Sequence, residues 1–165
     1  MNAFRSACVI ALSILPAAAN AGESNWRRYE LPTSGAAVEV PVGIFSRDAG
    51  SPESGSGRRF TTADGKADLT IQAIPNPANE SPATFLAKMR PPSGIVYKRV
   101  TPNFFVVSSV RKGKIWYDRC NRSTDGGSGG YMNCILINYP AAQKRQWDGV
   151  VTRISHSLAE RTAAQ

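Results

Sequence analysis

Four consecutive runs of strand-forming residues between Gly94 and Pro140 decide the fold of this chain. The runs are GIVYKRV at 94–100, FFVVSSV at 104–110, IWYDRC at 115–120 and YMNCILINYP at 131–140. They are rich in β-branched and aromatic residues, and Gly, Pro and Asn residues punctuate them. We read four consecutive antiparallel strands, which form a meander. The stretch indicates a fold and a compartment, and no activity follows from it.

Cys120 and Cys134 predict a structural disulfide within this meander. Suppose that the two cysteines face each other on neighbouring antiparallel strands. The register then places Tyr117 opposite Ile137 and Ile115 opposite Tyr139, with the reversal centred on Gly127 in the loop DGGSGG. Closing a loop of this size stabilises a fold by about 3 kcal/mol. A redox-active pair and a metal site are the alternatives, but the spacing is not Cys-x-x-Cys and no His lies near in the sequence.

Residues 1–21 have the features of a cleaved secretory signal peptide. Met1 and Arg5 give a short positive start, and Ala19-Asn20-Ala21 has the small-x-small form of a cleavage site. The apolar run at 7–19 is too short to span a bilayer, which needs about 20 residues. A retained anchor helix is the alternative.

Residues 22–165 are therefore expected to form one exported domain, in the periplasm or secreted. No later segment is apolar enough to be transmembrane. Removing the leader removes Arg5, which lowers the formal net charge from +8 to +7. A basic balance favours anionic partners in general, and nucleic acid is not expected in this compartment. An even pair of cysteines agrees with an oxidising environment.

The segments before the meander predict further strands and one loop. Strands are expected at 26–31, 38–42, 58–63 and 66–74, the second ending at Pro41 or lying at an edge and the last two joined around Asp64-Gly65. The polar segment 48–57 is rich in Gly and Ser and is expected to be a mobile loop. In the arm 66–74, Ala67, Leu69, Ile71 and Ala73 are expected to be buried, and Asp68, Thr70 and Gln72 to face water.

Two helices are expected to flank the sheet. Ser81 is a candidate N-cap with Pro82 at the first helical position, and Pro91-Pro92 ends this short helix. A second helix is indicated by apolar residues at helical spacing: Trp147, Val150, Val151, Ile154 and Leu158. Gly149 costs this helix up to ~1 kcal/mol relative to Ala, which only close packing would explain.

Both faces of the meander are apolar, so both need a cover. A two-residue Lys112-Gly113 turn pairs Val110 with Ile115, and together with the cysteine register it sorts the side chains. One face collects Phe104, Val106, Val110, Ile115, Tyr117, Ile135, Ile137 and Tyr139; the other collects Phe105, Val107, Trp116, Cys120, Cys134 and Leu136. The C-terminal helix can cover one face.

Catalysis has little support in the sequence. The only histidine, His156, falls off the apolar stripe of its helix and is expected to be solvated. No local motif places a nucleophile beside a base. The loop Gly126–Gly130 does not match a phosphate-binding loop, because no Lys-Ser/Thr follows it and it joins two strands. No catalytic residue, metal site or cofactor is predicted.

Basic residues are the one feature of the meander that points to a partner. The candidate binding residues are Lys98, Arg99, Arg111, Lys112, Lys114 and Arg122. Asp118 is the only acidic residue between Lys98 and Arg122. Arg111 to Lys114 crowd one turn, which we call the hairpin tip. It can meet an anionic surface such as a lipid headgroup, lipopolysaccharide, a cell-wall polymer or an acidic protein. A solvated sheet edge whose cations discourage aggregation is the alternative.

The order of these parts resembles a known group of proteins. The matching segments are VEVP at 38–41, RFTTADGKADL at 59–69, the Tyr139-Pro140 pair and the helix WDGVVTRISHSL at 147–158. They are similar to small exported alphaproteobacterial proteins without an assigned activity, and to the Mog1/PsbP-type fold. That resemblance implies a central antiparallel sheet flanked by helices, and a binding or assembly role without a catalytic centre.

The sequence thus predicts an α+β domain whose antiparallel sheet of about seven to eight strands is flanked by a short middle helix and a C-terminal amphipathic helix. The expected function is that of a non-enzymatic exported binding or accessory protein with a basic hairpin surface. A small periplasmic hydrolase-like enzyme, with a site assembled only in three dimensions, is the alternative. A deep pocket lined by polar side chains would favour the enzyme, and a flat basic face the binding protein.

Overall fold

A computed structural model describes residues 25–89, 93–123 and 130–159 of the chain. The expected leader at 1–21, the Pro91-Pro92 stop and the reversal at Gly127 lie outside these ranges. The described elements are β1 (Trp26–Glu30), β2 (Ala37–Pro41), β3 (Arg47–Gly50), β4 (Ser56–Thr61), β5 (Asp68–Asn76), α1 (Pro82–Lys88), β6 (Ile95–Val100), β7 (Phe104–Arg111), β8 (Lys114–Arg122), β9 (Gly130–Pro140) and α2 (Lys144–Ser157). The predicted α+β class is confirmed.

Seven of the strands form one antiparallel sheet in the order β3-β4-β5-β9-β8-β7-β6, and β1 and β2 form a separate pair. The sheet therefore consists of two meanders, β3–β5 and β6–β9, joined by the pairing of β5 with β9. Leu69 pairs with Ile137 and Gln72 with Cys134 across this junction. The centre of the sheet is therefore formed by two strands, β5 and β9, that are distant in sequence.

The predicted register of the C-terminal meander is confirmed. Cys120 pairs with Cys134 and Tyr117 with Ile137, and Val110 pairs with Ile115 across the Lys112-Gly113 turn. The two cysteines form a disulfide. Both central turn residues have positive φ, 48° at Lys112 and 72° at Gly113, as a two-residue type I′ turn requires.

The first face of the sheet, which carries Ile115, Ile135 and Ile137, is covered by α2 and by the β1–β2 pair. Its buried cluster consists of Leu31, Ala36, Val38, Val40, Phe45, Ala67, Leu69, Ile71, Ala73, Ile115, Ile135, Ile137, Tyr139, Trp147, Val151, Ile154 and Leu158. The predicted apolar stripe of α2 supplies four of these residues. Phe45 reaches Trp147, with ring centroids 5.7 Å apart.

The second face, which carries Cys120, Cys134 and Leu136, is covered at one end by α1. Ser81 caps this helix, its Oγ accepting from Thr84 N at 3.2 Å, and Pro82 occupies its first turn, as predicted. Phe85 and Leu86 pack on a second cluster with Phe105, Val107, Cys120, Met132 and Cys134. Each apolar face therefore has a cover, but α1 covers only one end of the second face.

The expectation of a mobile loop over residues 48–57 is wrong at both ends of that segment. Arg47–Gly50 is an edge strand, and Ser56 and Gly57 begin the next strand. Arg58 Nε donates to Asp48 Oδ2 at 2.8 Å across the pair. A Cβ added at Gly57 would lie 2.0 Å from the Ile71 carbonyl oxygen, so glycine there permits close strand pairing. The polar composition reflects an edge with two solvated sides.

The hairpin around Asp64-Gly65 is confirmed, with a longer turn than two residues. Its strands end at Thr61 and resume at Asp68, and Thr62 N donates to Ala67 O at 3.0 Å. Ala67, Leu69, Ile71 and Ala73 are buried, as expected. The prediction that the opposite side of β5 faces water is wrong: Gln72 is buried, and Asp68 and Thr70 are half-buried.

Candidate functional site

The hairpin tip places three cationic side chains around one aromatic ring, that of Trp116. Arg111 pairs with Lys114 across the type I′ turn, so these like-charged side chains share the second face. The Arg111 guanidinium lies 4.3 Å from the centroid of the Trp116 ring, a cation–π arrangement. Arg111, Lys112, Lys114 and Trp116 line a cleft of about 390 Å³. Such a cleft can hold a small anionic group.

The three cations of the tip have no ion-pair partner among the described residues: none lies within 4.0 Å of a described carboxylate. Arg111 Nε is buried and has no hydrogen-bond partner in the described part of the chain. A buried donor of this kind needs water or a ligand to complete its hydrogen bonding. The positive charges of the tip are therefore not balanced by ion pairs within the described residues.

Asp118 is an acid whose charge interacts with Arg111 of this cluster. It lies on the second face, two residues beyond Trp116, and its Oδ1 is buried without a hydrogen-bond partner in the described ranges. Burial raises the pKa of Asp118 from 3.8 to about 6, and the positive charge of Arg111 opposes that rise. At neutral pH Asp118 is mostly ionised and offsets part of the charge of Arg111 through space.

The other predicted binding residues do not join the tip. Lys98 pairs with Val107 and faces the second side of the sheet, whereas Arg99 pairs with Val106 and faces the first. Arg122 lies eight residues along β8 from Lys114, roughly 26 Å away. Its Nε donates to Asn79 Oδ1 at 2.9 Å, which gives it a structural contact. The six candidates therefore divide into a tip cluster, an edge pair and one anchored arginine.

A larger cleft of about 620 Å³ lies on the second face beside α1. Trp116 lines both this cleft and the smaller one at the tip. The residues that line the larger cleft are Glu53, Ser54, Arg59, Asp68, Thr70, Gln72, Ile74, Glu80, Phe85, Lys88, Met89, Trp116, Leu136 and Asn138. The mixture of apolar, amide and charged side chains suits a small amphipathic ligand.

Asp68 and Asn138 form the polar centre of this cleft. Asn138 Nδ2 donates to Asp68 Oδ1 at 2.9 Å, while Asn138 Oδ1 is buried without a partner in the described chain. Burial raises the pKa of Asp68, and the hydrogen bond from Asn138 and the charges of Lys114 and Arg59 oppose the rise. The free amide oxygen can accept a hydrogen bond from a bound molecule.

Sequence reasoning missed this second cleft. The alternation along β5 singled out Asp68, Thr70 and Gln72, but it assigned them to water. The missing knowledge was that β5 lies next to β9 and that α1 stands over the same face. Alternation alone gives the side of a strand and not what covers that side.

The groups used in acid–base, nucleophilic and metal chemistry are sparse near these clefts. His156 is exposed on α2, which covers the other face of the sheet. Ser54 and Thr70 supply the hydroxyls of the larger cleft, and its described lining residues include no histidine or cysteine. Across the described ranges, no three His, Cys, Asp or Glu side chains are grouped so that they could hold a metal ion. Neither described helix is long and apolar enough to cross a membrane.

Comparison with known proteins bears on the fold. No family model and no curated protein sequence matches the chain. A solved structure does: the solution structure of cyanobacterial PsbP (CyanoP) from Synechocystis sp. PCC 6803 superposes with a TM-score of 0.59. The match covers 88% of this chain and 98% of that one, at 9% sequence identity. At this identity the likeness concerns the fold alone, and the chain has a PsbP-like fold, as the resemblance of its sequence implied.

Proposed function

We propose that the chain is an exported, non-enzymatic binding or accessory protein that holds an anionic group of its partner at the hairpin tip. The partner is an anionic envelope component or an acidic protein. One observation carries this proposal: Arg111, Lys112 and Lys114 converge on a single cleft without a carboxylate within ion-pair distance in the described residues. Trp116 adds a flat apolar base beneath them.

Export is supported by the Cys120–Cys134 disulfide, since such bonds persist mainly in oxidising compartments. The sulfur-bearing residues are fully buried, which favours a structural bond over a redox-active one. A folded, disulfide-bonded domain with an unneutralised basic cleft is suited to capture an acidic group outside the cytoplasm.

Charge reversal at the tip tests the proposal. In the triple variant Arg111→Glu, Lys112→Glu, Lys114→Glu, we expect retention on anionic phospholipid vesicles, cell-wall sacculi or an immobilised acidic peptide to fall by about tenfold or more. High salt should weaken retention of the wild type similarly. The matched control reverses three exposed cations elsewhere, Arg27, Arg47 and Arg145. Equal retention of the two triple variants on every support would reject the proposal.

Binding of a small molecule in the 620 Å³ cleft is a second candidate function. It is favoured by Asn138, which is 9% exposed and whose Oδ1 has no partner among the described atoms. Native mass spectrometry of protein taken directly from periplasmic extract tests it. We expect an added mass that disappears in the Asn138→Ala variant, and an unmodified mass in both proteins would exclude this role. Catalysis by the carboxylates of this cleft is not favoured, because Asp68 and Glu80 are already engaged by Asn138 and Lys88.

A further inference from the structure

The edge strand β6 carries an exposed apolar surface at one end of the sheet. All six of its residues are exposed, and Ile95, Val96, Tyr97 and Val100 are exposed by 40, 66, 50 and 36%. In the described chain β6 pairs only with β7. An exposed edge with apolar side chains is a template for an added strand.

The opposite edge of the same sheet is protected. Strand β3 has only four residues, its pairing is interrupted by a bulge between Asp48 and Gly50, and Asp48 is engaged by Arg58. Short length, bulging and charge are the devices that keep an edge from pairing. β6 also has a bulge, at Ile95–Tyr97, but its segment Tyr97–Val100 pairs regularly with β7.

The hydrogen-bonding pattern shows which groups of β6 are free for a partner. Thr101 N donates to Phe104 O at 2.8 Å, so Thr101 is bonded to the strand beside it. In antiparallel pairs such bonds alternate along the strand, so Arg99 is also bonded to β7. The backbone groups of Lys98 and Val100 therefore face the open edge.

Charge decides the occupant. A second copy pairing through β6 would bring two Lys98-Arg99 pairs together, and like charges on facing strands are destabilising. Neither residue has a described carboxylate within 4.0 Å. Lys98 and Arg99 point to opposite sides, so two consecutive acidic residues on an added strand can each meet one of them. The apolar neighbours of such a pair would lie against Tyr97 and Val100.

We propose that β6 accepts an extended acidic segment of a partner protein as an eighth strand of the sheet. This deepens the proposed function, on which it rests, by naming the partner as an acidic protein chain. The N-terminal end of β6 adjoins the hairpin tip, since Val110 N donates to Gly94 O at 3.2 Å. A strand bound along β6 can therefore extend its acidic residues towards Arg111 and Lys112.

Two labelled octapeptides test the inference by fluorescence polarisation. Both consist of β-branched residues, with two central glutamates in one and two central lysines in the other. The purified wild-type protein should bind the acidic peptide at least about tenfold more tightly than the basic one. The double variant Lys98→Glu, Arg99→Glu should reverse this preference. The matched pair Arg27→Glu, Arg145→Glu should change it by less than about twofold, because those exposed cations lie away from the edge.

A backbone variant separates strand addition from simple charge attraction. Val100→Pro removes an outward amide hydrogen without removing a bond to β7, and proline is tolerated on edge strands in this orientation. We expect unchanged thermal unfolding and about tenfold weaker binding of the acidic peptide. Hydrogen exchange on binding should slow at Lys98 and Val100 and stay unchanged at Arg99.

Unchanged binding by both the β6 variants would overturn the inference, as would peptide protection confined to other strands. The proposed function fails separately. If the tip triple variant alone loses the acidic peptide, the tip binds and β6 does not. If the β6 variants alone lose it, the edge binds and the tip proposal is wrong.

Discussion

The two faces of the seven-stranded sheet differ in how completely they are closed. The first face, under α2 and the β1–β2 pair, is a continuous apolar core. The second is closed by α1 and the disulfide at one end only. Six side chains of the described structure have a buried polar atom without a hydrogen-bond partner. All but Asn133 lie on the second face: Ser109, Arg111, Trp116, Asp118 and Asn138. A face that leaves polar groups unsatisfied sacrifices stability, which is expected where a ligand or partner binds.

The largest expected effect comes from opening the first face. Ile154 is fully buried between α2 and the sheet. Ile154→Ala should lower the free energy of unfolding by about 3 to 4 kcal/mol, because it removes buried methyl groups and leaves a cavity. Urea denaturation followed by circular dichroism measures it.

The matched variant on the second face is Leu136→Ala, at a half-buried residue that lines the larger cleft. It should cost about 1 kcal/mol, because part of this side chain is already solvated and its loss leaves no closed cavity. Equal losses in the two variants would contradict the distinction between a structural and an open face.

The disulfide should contribute almost as much from the second face. It closes a loop with a sequence separation of 14 residues. Replacing both cysteines, Cys120→Ala with Cys134→Ala, should lower the free energy of unfolding by about 3 kcal/mol, mainly because the unfolded chain gains freedom. The single variant Ile154→Ala in the disulfide-free background should add its own loss independently. A disulfide-free protein as stable as the wild type would show that α1 alone closes this end of the sheet.

What the sequence predicted and what it missed follow the same division. The Cys120–Cys134 register, the apolar stripe of α2 and the cap at Ser81 are local patterns, and each is confirmed. The cleft around Asp68 and Asn138 depends on a contact between residues 70 positions apart, which no local pattern contains. The separation of Lys98 from Arg99 was available from the sequence, because adjacent residues on a strand point to opposite faces. The prediction grouped the two residues by their closeness in the sequence and did not consider the side of the strand on which each one lies.

A pH dependence of stability should arise from the second face. The pKa of Asp118 in the folded protein is about 6, above its ordinary value of 3.8. Because the folded protein binds this proton more tightly than the unfolded chain does, protonation of Asp118 stabilises the fold. This contribution to the free energy of unfolding is fully present below about pH 4 and is lost as the pH rises through about 6, a loss of about 2 to 3 kcal/mol. Asp118→Asn should abolish this decline: similar to the wild type at pH 4, the variant should be more stable by about 2 kcal/mol at pH 8.

Urea denaturation at pH 4, 6 and 8 measures this effect. Asp148→Asn, at an exposed carboxylate on α2, is the control for a general loss of one negative charge. If Asp118→Asn is the less stable protein at pH 8, then the interaction of Asp118 with Arg111 outweighs the burial of its charge. The second face would in that case be more fully satisfied than its unpartnered atoms indicate.

The smallest expected effect tests the outer surface of the helix that covers the first face. The sequence suggested that Gly149 permits close packing, but a Cβ added there would meet nothing within 4 Å, so that explanation is wrong and nothing in the structure replaces it. Gly149→Ala should raise the free energy of unfolding by up to ~1 kcal/mol, because alanine is the better helix former.

Gly113 at the hairpin tip is the matched control, since it is equally open but has a φ of 72°. Gly113→Ala should instead destabilise the protein by about 1 kcal/mol, because a side chain is strained in that conformation. Thermal unfolding of the two variants therefore separates open space from backbone conformation, and a destabilised Gly149→Ala protein would mean that the outer side of α2 has a close neighbour in solution.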